Sequence, residues 1–256
     1  MNLTSIKNRA KSFLLDYKNK IQVVHELDYS KKTLYVCDNI RLDACVKEPE
    51  TVAWIETFAS EDIVYDIGAN VGCYTLIMSL YAKKVFAFEP AFMNYSILNK
   101  NIFYNTQQKT IPDNITALNI ALAEDTGIQT LHYINTHLGK SGSQLTAKDT
   151  NEDLPFQPSY SQPMLSLTID DFIHIFKLTI PQHMKIDVDG IEYKILKGGA
   201  NTLASPLMKS LMIEVDTNEE ANFKDLQKYL SSKDFSFKSR TPIRDERFFN
   251  YFFEKK

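Results

Sequence analysis

The chain has 256 residues, 44% hydrophobic and 24% charged, which predicts a globular protein with one large α/β domain and an ordinary buried core. Its formal net charge of −3 gives no basic face of the kind found in nucleic-acid-binding proteins, so we expect no nucleic-acid partner. Its cysteines (Cys37, Cys45 and Cys73) form no CxxC motif, and no apolar run has the length of a transmembrane helix or signal peptide. We therefore expect reduced thiols and a cytoplasmic protein.

Residues 1–50 form a predicted N-terminal extension, and residues 51–256 form the main domain. We expect the extension to begin with a helix and to continue with short strands at residues 32–37 and 40–45. Its first 20 residues carry five basic side chains around an apolar group at residues 13–15. This pattern predicts a solvated capping helix, and it leaves open a basic amphipathic helix in peripheral contact with an anionic membrane surface.

From residue 47 onward, strand and helix patterns alternate as in a doubly wound parallel sheet. A helix that opens near Pro49 spans residues 47–58 and leads into the first strong strand. The strands that follow are predicted at residues 63–67, 85–88, 115–120, 128–133, 183–188 and 210–215. The helices between and after them are predicted at residues 73–81, 93–104, 169–176, 192–203 and 221–230. Two aromatic-rich strands, at residues 235–238 and 249–254, predict a terminal hairpin that completes a Rossmann-like α/β fold.

The stretch from residue 136 to residue 163 is rich in Ser, Thr, Gln, Asn and Asp. A structureless segment of this length inside a compact domain is usually functional or disordered. We therefore expect a mobile lid or a substrate-binding loop at this point in the chain, rather than a plain linker between two secondary-structure elements.

The sharpest signal is the segment VYDIGANVGCYT, residues 64–75, which stands between a predicted strand and a predicted helix. Gly68 and Gly72 let the backbone approach a ligand closely, where a Cβ would collide. Their GxxxG spacing differs from the GxGxxG fingerprint of dinucleotide-binding folds, so a pyrophosphate cradle is not predicted. Asp66 ends the strand and can accept a hydrogen bond from a ligand ammonium group, and Asn70 lies in the turn itself.

Polar residues also follow the next two predicted strands. Glu89 comes 21 residues after Gly68, and a carboxylate at this point can accept hydrogen bonds from both hydroxyls of a ribose. Asn119 and Ala121 belong to a loop after the third strand that can flank an adenine. Together with the glycine turn, these residues predict an adenosine-containing ligand at the carboxyl ends of the strands.

A second block, KIDVDGIEYKILKGG, covers residues 185–199 and begins on a predicted strand. Alternation along the strand places Lys185, Asp187 and Asp189 on one face, and buried charges at this density are costly unless they are paired or functional. A purely structural network and a functional centre both fit this pattern. Asp187, Asp189 and Glu214 could hold a divalent cation, but we do not favour a metal site, and the five histidines show no ligand spacing.

Five successive motifs, DIGANVG, FEP, LTIDDF, KIDVDGIEYKILKGGANTL and LMIEVD, occur between residues 64 and 216. Their order and spacing resemble the FkbM family of S-adenosylmethionine-dependent methyltransferases. The family usually has Glu where this chain has Asp189, a departure that keeps the charge and shortens the side chain. The resemblance implies a class I methyltransferase sheet of seven strands, the last antiparallel, with S-adenosylmethionine as the methyl donor.

The same resemblance implies roles for individual residues and a class of acceptor. The residues that match the family's cofactor motif are Asp66, Gly68, Asn70, Gly72 and Glu89, and those that match the block bordering the reacting centre are Lys185, Asp187 and Glu192. Family members are mostly O-methyltransferases, which implies methylation of a sugar hydroxyl in a bacterial surface glycan or related glycoconjugate. A small natural product or a lipid-linked acceptor is the alternative. An NAD-dependent oxidoreductase is the rival of a different class, and the missing GxGxxG speaks against it.

Methyl transfer to a hydroxyl is an in-line displacement that needs an aligned acceptor and, for a sugar, a positioned base. Asp187 is our first candidate for that base or for orienting the acceptor hydroxyl. Lys185 can acidify the acceptor as a cation, or act as the base if burial lowers its pKa. Glu192 would orient Lys185 or bind substrate.

Overall fold

The computed structural model describes residues 12–17, 20–29, 32–37, 47–135, 137, 139, 142–147, 156–216, 220–244 and 247–256. Its strands are β1 (Ser12–Tyr17), β2 (Lys20–Tyr29), β3 (Lys32–Val36), β4 (Ile63–Ile67), β5 (Lys84–Phe88), β6 (Ile115–Leu118), β7 (Ala121–Leu122), β8 (Gly127–Tyr133), β9 (Gln144–Ala147), β10 (Tyr160–Leu167), β11 (His183–Ile186), β12 (Ser210–Asp216), β13 (Phe235–Arg244) and β14 (Phe248–Lys255). Its helices are α1 (Pro49–Ile55), α2 (Cys73–Met78), α3 (Phe92–Gln107), α4 (Ile169–Phe176), α5 (Glu192–Lys197), α6 (Ala200–Ala204) and α7 (Glu220–Ser231). Within these ranges, no helix combines the length and the hydropathy needed to cross a membrane.

A seven-stranded sheet with the order β13-β14-β12-β11-β4-β5-β6 forms the centre of the described structure. Neighbouring strands from β12 to β6 run parallel, whereas β14 runs antiparallel to both β12 and β13. The predicted seven-stranded Rossmann-like sheet with an antiparallel last strand is therefore confirmed. The carboxyl ends of β4, β5, β11 and β12 meet at one edge, where open α/β sheets bind their ligands.

Apolar side chains cover both faces of this sheet, so its central strands are buried on two sides. Val64 on β4 joins a core that contains residues of β3, α1 and α2. Tyr65 and Ile67 on the same strand join a second core, built with residues of α4 to α7 and the terminal hairpin. Strands buried on both faces have nearly continuous apolar sequences, and this explains why the pattern predicted them well.

The N-terminal extension contains an antiparallel meander in the order β1-β2-β3. The helix expected at the start of the chain is wrong over Ser12–Tyr17, because this segment pairs with β2 along its whole length. Such pairing satisfies main-chain groups through a partner further along the chain, which local periodicity does not reveal. The strand predicted at residues 32–37 is confirmed by β3, and the one at residues 40–45 lies outside the described residues. Residues 1–11 also lie outside, so membrane contact there stays a prediction.

Two buried asparagines of α3 attach this extension to the main sheet. Asn105 pairs with the main chain of Tyr35, accepting from its N–H at 2.9 Å and donating to its carbonyl at 2.7 Å. The Asn101 side-chain oxygen accepts the N–H of Cys37 at 2.7 Å, and its amide donates to the carbonyl of Val71 at 2.7 Å. Asn101 thus links the extension directly to the turn that follows β4.

A second, four-stranded sheet in the order β7-β10-β8-β9 is inserted between β6 and β11. The expectation of a long loop over residues 136–163 is therefore wrong in part, because β9 and the first residues of β10 lie within it. The strand predicted at residues 128–133 also belongs to this second sheet, where β8 pairs antiparallel with β10. Leu131, Tyr133, Leu145 and Met164 form a small core between the strands and the main domain.

Two further boundaries differ from the prediction. The helix expected at residues 192–203 is two helices, α5 and α6, which meet at Gly198 and Gly199. A Cβ at Gly198 would collide with the carbonyl oxygen of Ala123, so the close approach of these segments requires a glycine at this position. The first strand of the terminal hairpin extends to Arg244, beyond the predicted residue 238, and it tolerates Pro242 because it lies at the sheet edge.

At the amino ends of β11 and β12, a buried polar network joins α1 to the sheet. His183 lies 2.7 Å from Ser210 Oγ through Nδ1 and 3.0 Å from Asp62 Oδ2 through Nε2. Trp54 Nε1 donates to the same Ser210 oxygen at 2.8 Å, and Lys209 donates to Asp62 at 2.6 Å. Burial lowers the pKa of His183 to about 4 in spite of Asp62, so the imidazole is neutral at physiological pH.

Candidate active site

The turn after β4 has a backbone that only small residues can form. Gly68 and Gly72 have φ angles of +84° and +89°, and Asn70 between them has a φ of +51°. A Cβ at Gly68 would collide with the main-chain carbonyl of Asp187, and one at Gly72 with the side chain of Leu98. The turn therefore packs closely against the loop after β11, with its main chain along the edge of a cleft.

This cleft, the cofactor cleft below, opens at the carboxyl ends of the strands. Its empty space, which includes the open solvent at its mouth, is about 1170 Å³. Predicted residues in its wall are Asp66, Gly68, Asn70, Gly72, Glu89, Lys185 and Asp187. The fold thus brings together residues of two predicted sequence blocks that are more than a hundred residues apart in the chain.

Glu89 is held in place by the backbone of the glycine turn. The side chain is 5% exposed, and its two oxygens accept the N–H groups of Asn70 at 2.7 Å and of Ala91 at 2.8 Å. Burial raises the pKa of Glu89 to about 7, with smaller contributions from Asp189 and Asp66, although the two N–H groups oppose this. Each oxygen keeps a further lone pair for a ligand hydroxyl.

Asn70 carries an unsatisfied group in the wall of the cleft. Its side-chain oxygen is buried and receives no hydrogen bond from any residue in the described part of the chain. A buried acceptor left without a donor costs about 1–3 kcal/mol, so the arrangement fits a ligand that supplies the missing donor. The glycine turn, the Glu89 carboxyl and this oxygen together provide hydrogen-bond acceptors of the kind that a ligand with ribose hydroxyls needs.

Lys185 forms the floor of the cofactor cleft as a buried cation. It is 2% exposed, donates to Asp187 Oδ2 at 2.5 Å and lies 5.1 Å from the centre of the Tyr74 ring. Burial alone would lower the pKa of Lys185, but the carboxyls of Asp187, Asp66 and Glu48 raise it above its ordinary value. The side chain therefore stays an ammonium, which disfavours Lys185 as a neutral base.

Asp66 faces the same cation from the neighbouring strand. It lies opposite Lys185 in the β4–β11 register and accepts a hydrogen bond from Thr75 Oγ1 at 2.5 Å. Burial raises the pKa of Asp66, while Lys185 and Thr75 oppose the shift. The carboxyl is therefore held by protein groups, and the sequence-based expectation that it binds a ligand ammonium stays a prediction.

Two more carboxyls complete the site, and sequence reasoning gave neither of them this role. Glu48, next to α1, is 7% exposed and accepts from Asn250 at 2.9 Å; burial raises its pKa and Lys185 opposes the shift. Burial and the nearby Asp187 raise the pKa of Glu214, at the end of β12, to about 9. Glu214 was considered only as a metal ligand. No group of His, Cys, Asp and Glu side chains in the described ranges has the geometry to hold a metal ion.

A second cleft adjoins the first beyond the ends of β11 and β12. The residues that line both clefts are Val188, Asp189, Glu214 and Phe248. Glu192 lies in the second cleft, where it accepts the N–H of Gly190 at 3.2 Å. Burial raises the pKa of Glu192 to about 8, with smaller contributions from Asp189 and Asp187. Its described partners do not include Lys185, and its role at the site stays a prediction.

Asn119 and Ala121, both expected near the adenine, occupy structural positions. The Asn119 amide donates to the carbonyls of Glu89 at 2.8 Å and of Pro90 at 2.9 Å. Ala121 belongs to β7 and pairs with Ser166 of β10. Neither is among the described residues that line the cofactor cleft. Asn119 fixes the loop that carries Glu89, a supporting role that the sequence pattern did not distinguish from direct contact.

Comparison with known proteins decides between the classes that this site could serve. A family profile described as the methyltransferase FkbM domain matches residues 66–237, more than half of the chain. The chain belongs to the FkbM methyltransferase family. The predicted family is thus confirmed. Because the family is one of methyltransferases and the turn has the spacing GxxxG, nothing supports the alternative of an NAD-dependent oxidoreductase.

One named protein and one solved structure resemble this FkbM protein. Hexuronic acid methyltransferase AglP from Haloferax volcanii is 25% identical over 194 residues, which cover 76% of this chain and 72% of the relative. The crystal structure of methyltransferase FkbM from Methylobacillus flagellatus KT superposes with a TM-score of 0.53 at 18% identity, over 77% of this chain. This chain covers 44% of that longer protein, so the similarity concerns the fold.

Proposed function

We propose that this FkbM protein is an S-adenosylmethionine-dependent O-methyltransferase that acts on a sugar hydroxyl of a surface glycan or related glycoconjugate in the cytoplasm. The observation that carries the proposal is the buried side-chain oxygen of Asn70 in the glycine turn, next to Glu89, which receives no hydrogen bond from the residues that the structure describes. Family membership supports methyl transfer, and the name of the AglP relative supports a sugar as acceptor.

The cofactor would be held by residues of the first two strand ends. Asn70 would accept a hydrogen bond from it, Glu89 would bind ribose hydroxyls, and Gly68 and Gly72 would allow close backbone approach. When bound, S-adenosylmethionine supplies an electrophilic methyl group. The ring of carboxyls around Lys185 gives the cleft an excess of acidic groups, which favours a ligand that carries positive charge.

The protein's own groups would align the acceptor and remove its proton. In the balanced reaction, the acceptor oxygen forms a bond to the methyl carbon, the sulfur–carbon bond breaks, and the hydroxyl proton leaves. Asp187 has 32% of its side chain exposed and one oxygen bonded to Lys185, and in this proposal it orients that hydroxyl and receives its proton. Replacement by Asn should preserve cofactor binding and reduce turnover by about 10²–10⁴-fold; full turnover of Asp187→Asn would exclude this role.

Calorimetric titration with S-adenosylmethionine and S-adenosylhomocysteine tests the cofactor assignment. We expect micromolar binding that Glu89→Ala abolishes. The matched control is Glu254→Gln, which removes a surface carboxylate paired with Lys238 at 3.0 Å and should bind normally. A folded protein that binds neither compound, or a Glu89→Ala variant that binds as tightly as the parent, would contradict the proposal.

A further inference from the structure

The loop after β6, which was expected to flank an adenine, is committed to the protein's own structure. The Asn119 amide donates to the carbonyls of Glu89 and Pro90, and the main chain of Ala121 pairs with β10. Neither Asn119 nor Ala121 is among the described residues that line the cofactor cleft. A nucleoside whose ribose binds Glu89 therefore needs a different wall for its base.

Beyond Glu89, the wall of the cofactor cleft comes from the start of α3 and from the second sheet. The residues that line it there are Ala91, Asn94, Leu131 and Ser143. Ala91 donates its N–H to Glu89 at 2.8 Å, and it packs in the same small core as Leu131 of β8. Ala91 and Leu131 are apolar, whereas Asn94 and Ser143 carry polar groups. Apolar surface with a few polar groups at its border is typical of a site for a flat base.

Two hydrogen bonds hold the segment before β9 against this cleft. The N–H of Gly139 donates to the buried Asn94 Oδ1 at 2.9 Å, and the N–H of Gly142 donates to Asp189 Oδ2 at 2.5 Å. Asp189 belongs to the second sequence block and itself lines the cleft. Because Ser143 follows Gly142 directly, the second bond fixes Ser143 at the mouth of the cleft.

The order of the strands determines at which end of the cleft the base belongs. The strand β4 separates β5, which precedes Glu89, from β11, which leads to Asp187. In S-adenosylmethionine the sulfonium and the adenine are attached to opposite sides of the ribose ring. A ribose at Glu89 whose sulfonium points toward Asp187 therefore directs its adenine away from β11, toward Ala91 and Leu131.

We propose that the second sheet is part of the cofactor site, with Leu131 and Ser143 forming the wall against the adenine in place of the loop after β6. This inference rests on the proposed function and deepens it. Leu131 contacts the face of the base, and Ser143 borders its edge. The sheet inserted between β6 and β11 is thus required for cofactor binding.

Nuclear Overhauser effects between the protein and S-adenosylhomocysteine test the Leu131 contact directly. In protein with ¹³C-labelled leucine methyl groups, Leu131→Ile removes the signals of Leu131 and thereby assigns them. We expect Overhauser effects between these methyl groups and the carbon-bound ring protons of the adenine. Their absence from a saturated complex would overturn the contact, and this measurement on the parent protein does not depend on any variant's effect on binding.

Ser143→Trp tests the wall by filling the space of the base. Ser143 is partly exposed, so a larger side chain can be accommodated without disruption of the core. The matched control is Thr130→Trp. Thr130 precedes Leu131 on β8, so its side chain points to the other face of the strand, and it lines neither cleft in the described structure.

The two calorimetric probes for these variants are S-adenosylhomocysteine and 5′-methylthioadenosine, which keeps the adenine and ribose but lacks the amino-acid part. Ser143→Trp should weaken both probes by at least about tenfold, and Thr130→Trp should weaken neither. Unchanged binding to folded Ser143→Trp, or a loss confined to S-adenosylhomocysteine, would overturn the location of the adenine while the cofactor assignment stands. If the parent does not bind S-adenosylhomocysteine, the proposed function itself fails.

Discussion

Replacement of Asn101 by Ala should separate the stability of the N-terminal extension from the affinity for the cofactor. Asn101 is fully buried and bridges the N–H of Cys37 and the carbonyl of Val71. The second of these contacts fixes the glycine turn, whose backbone lines the cofactor cleft. Asn105, one helical turn further along α3, provides the matched control. It is also fully buried and binds the main chain of Tyr35, but it has no described contact with the glycine turn.

The expected magnitudes follow from the hydrogen bonds that each variant removes. Asn101→Ala removes two hydrogen bonds to main-chain groups. Asn105→Ala removes two to the main chain of Tyr35, one from Thr110 Oγ1 and one to the carbonyl of Asn101. At about 0.5–1.5 kcal/mol for each hydrogen bond, Asn105→Ala should lose at least as much free energy of unfolding as Asn101→Ala. The Val71 contact restrains the turn itself. If roughly 1.4 kcal/mol of that restraint is lost from the binding-competent turn, affinity for S-adenosylhomocysteine falls about tenfold.

Urea unfolding and calorimetric titration at a temperature where both variants are folded would measure the two quantities. We expect the midpoint of Asn105→Ala to be as low as that of Asn101→Ala or lower, but ligand binding to be weakened in Asn101→Ala alone. If both variants weaken binding equally, or if Asn101→Ala binds like the parent, the link from the extension to the turn has no role in binding. A purely structural role would lower both midpoints without changing the ratio of the dissociation constants.

Three further changes test other parts of the structure. Gly68→Ala places a Cβ against the carbonyl of Asp187 at a φ of +84°, so it should lower the free energy of unfolding by more than about 1–2 kcal/mol and abolish cofactor binding. Gly127→Ala, which has open space around it, should change neither quantity. Urea unfolding and calorimetry measure the two effects. Lys185→Met leaves several carboxyls without their cation and should lower the free energy of unfolding by about 3–5 kcal/mol. The loss should be larger at about pH 8 than at about pH 5, where the carboxyls can hold protons. An equal loss at both pH values would contradict the charge network. Folding lowers the pKa of His183 from about 6.5 to about 4, so the unfolded chain binds a proton that the folded chain does not. As the pH falls across that window, the free energy of unfolding of the parent should fall by roughly 3 kcal/mol relative to that of His183→Gln. Parallel pH–stability curves for the two proteins would refute the neutral buried imidazole.

The main sheet was predictable because its strands are buried on both faces and its turns carry glycine. The second sheet was not. In β10, Met164 is buried while both of its neighbours, Pro163 and Leu165, are exposed. This is the alternation of a half-buried strand, but polar residues precede it and a proline normally argues against a strand. Pro163 is tolerated because β7 pairs only with the last two residues of β10, Ser166 and Leu167, in the described structure. The meander at the start of the chain depends in the same way on pairing that local periodicity does not encode.

The residues of the site likewise fall into those that the sequence pattern predicted and those that it did not. Glu89 and the Lys185–Asp187 pair lie at strand ends within recognisable motifs, so sequence spacing placed them together. Glu48 reaches Lys185 from a segment that precedes the sheet, and its buried position depends on Asn250 at the other end of the chain. No local pattern marks a contact of this range, and only the folded chain shows how many carboxyls share the single lysine.

The network of Asp62, His183 and Ser210 has the composition and distances of a serine-hydrolase triad, although it lies at the opposite end of the strands from the cofactor cleft. Its serine is 4% exposed and its oxygen already accepts the indole N–H of Trp54, so no carbonyl substrate can reach it. The two ring nitrogens are exchanged relative to such a triad, since Nδ1 contacts the serine and Nε2 contacts the aspartate. A search by residue type and distance alone would nevertheless select this protein for the wrong chemistry. Solvent access to the nucleophile therefore belongs in the definition of such a triad, together with the distances.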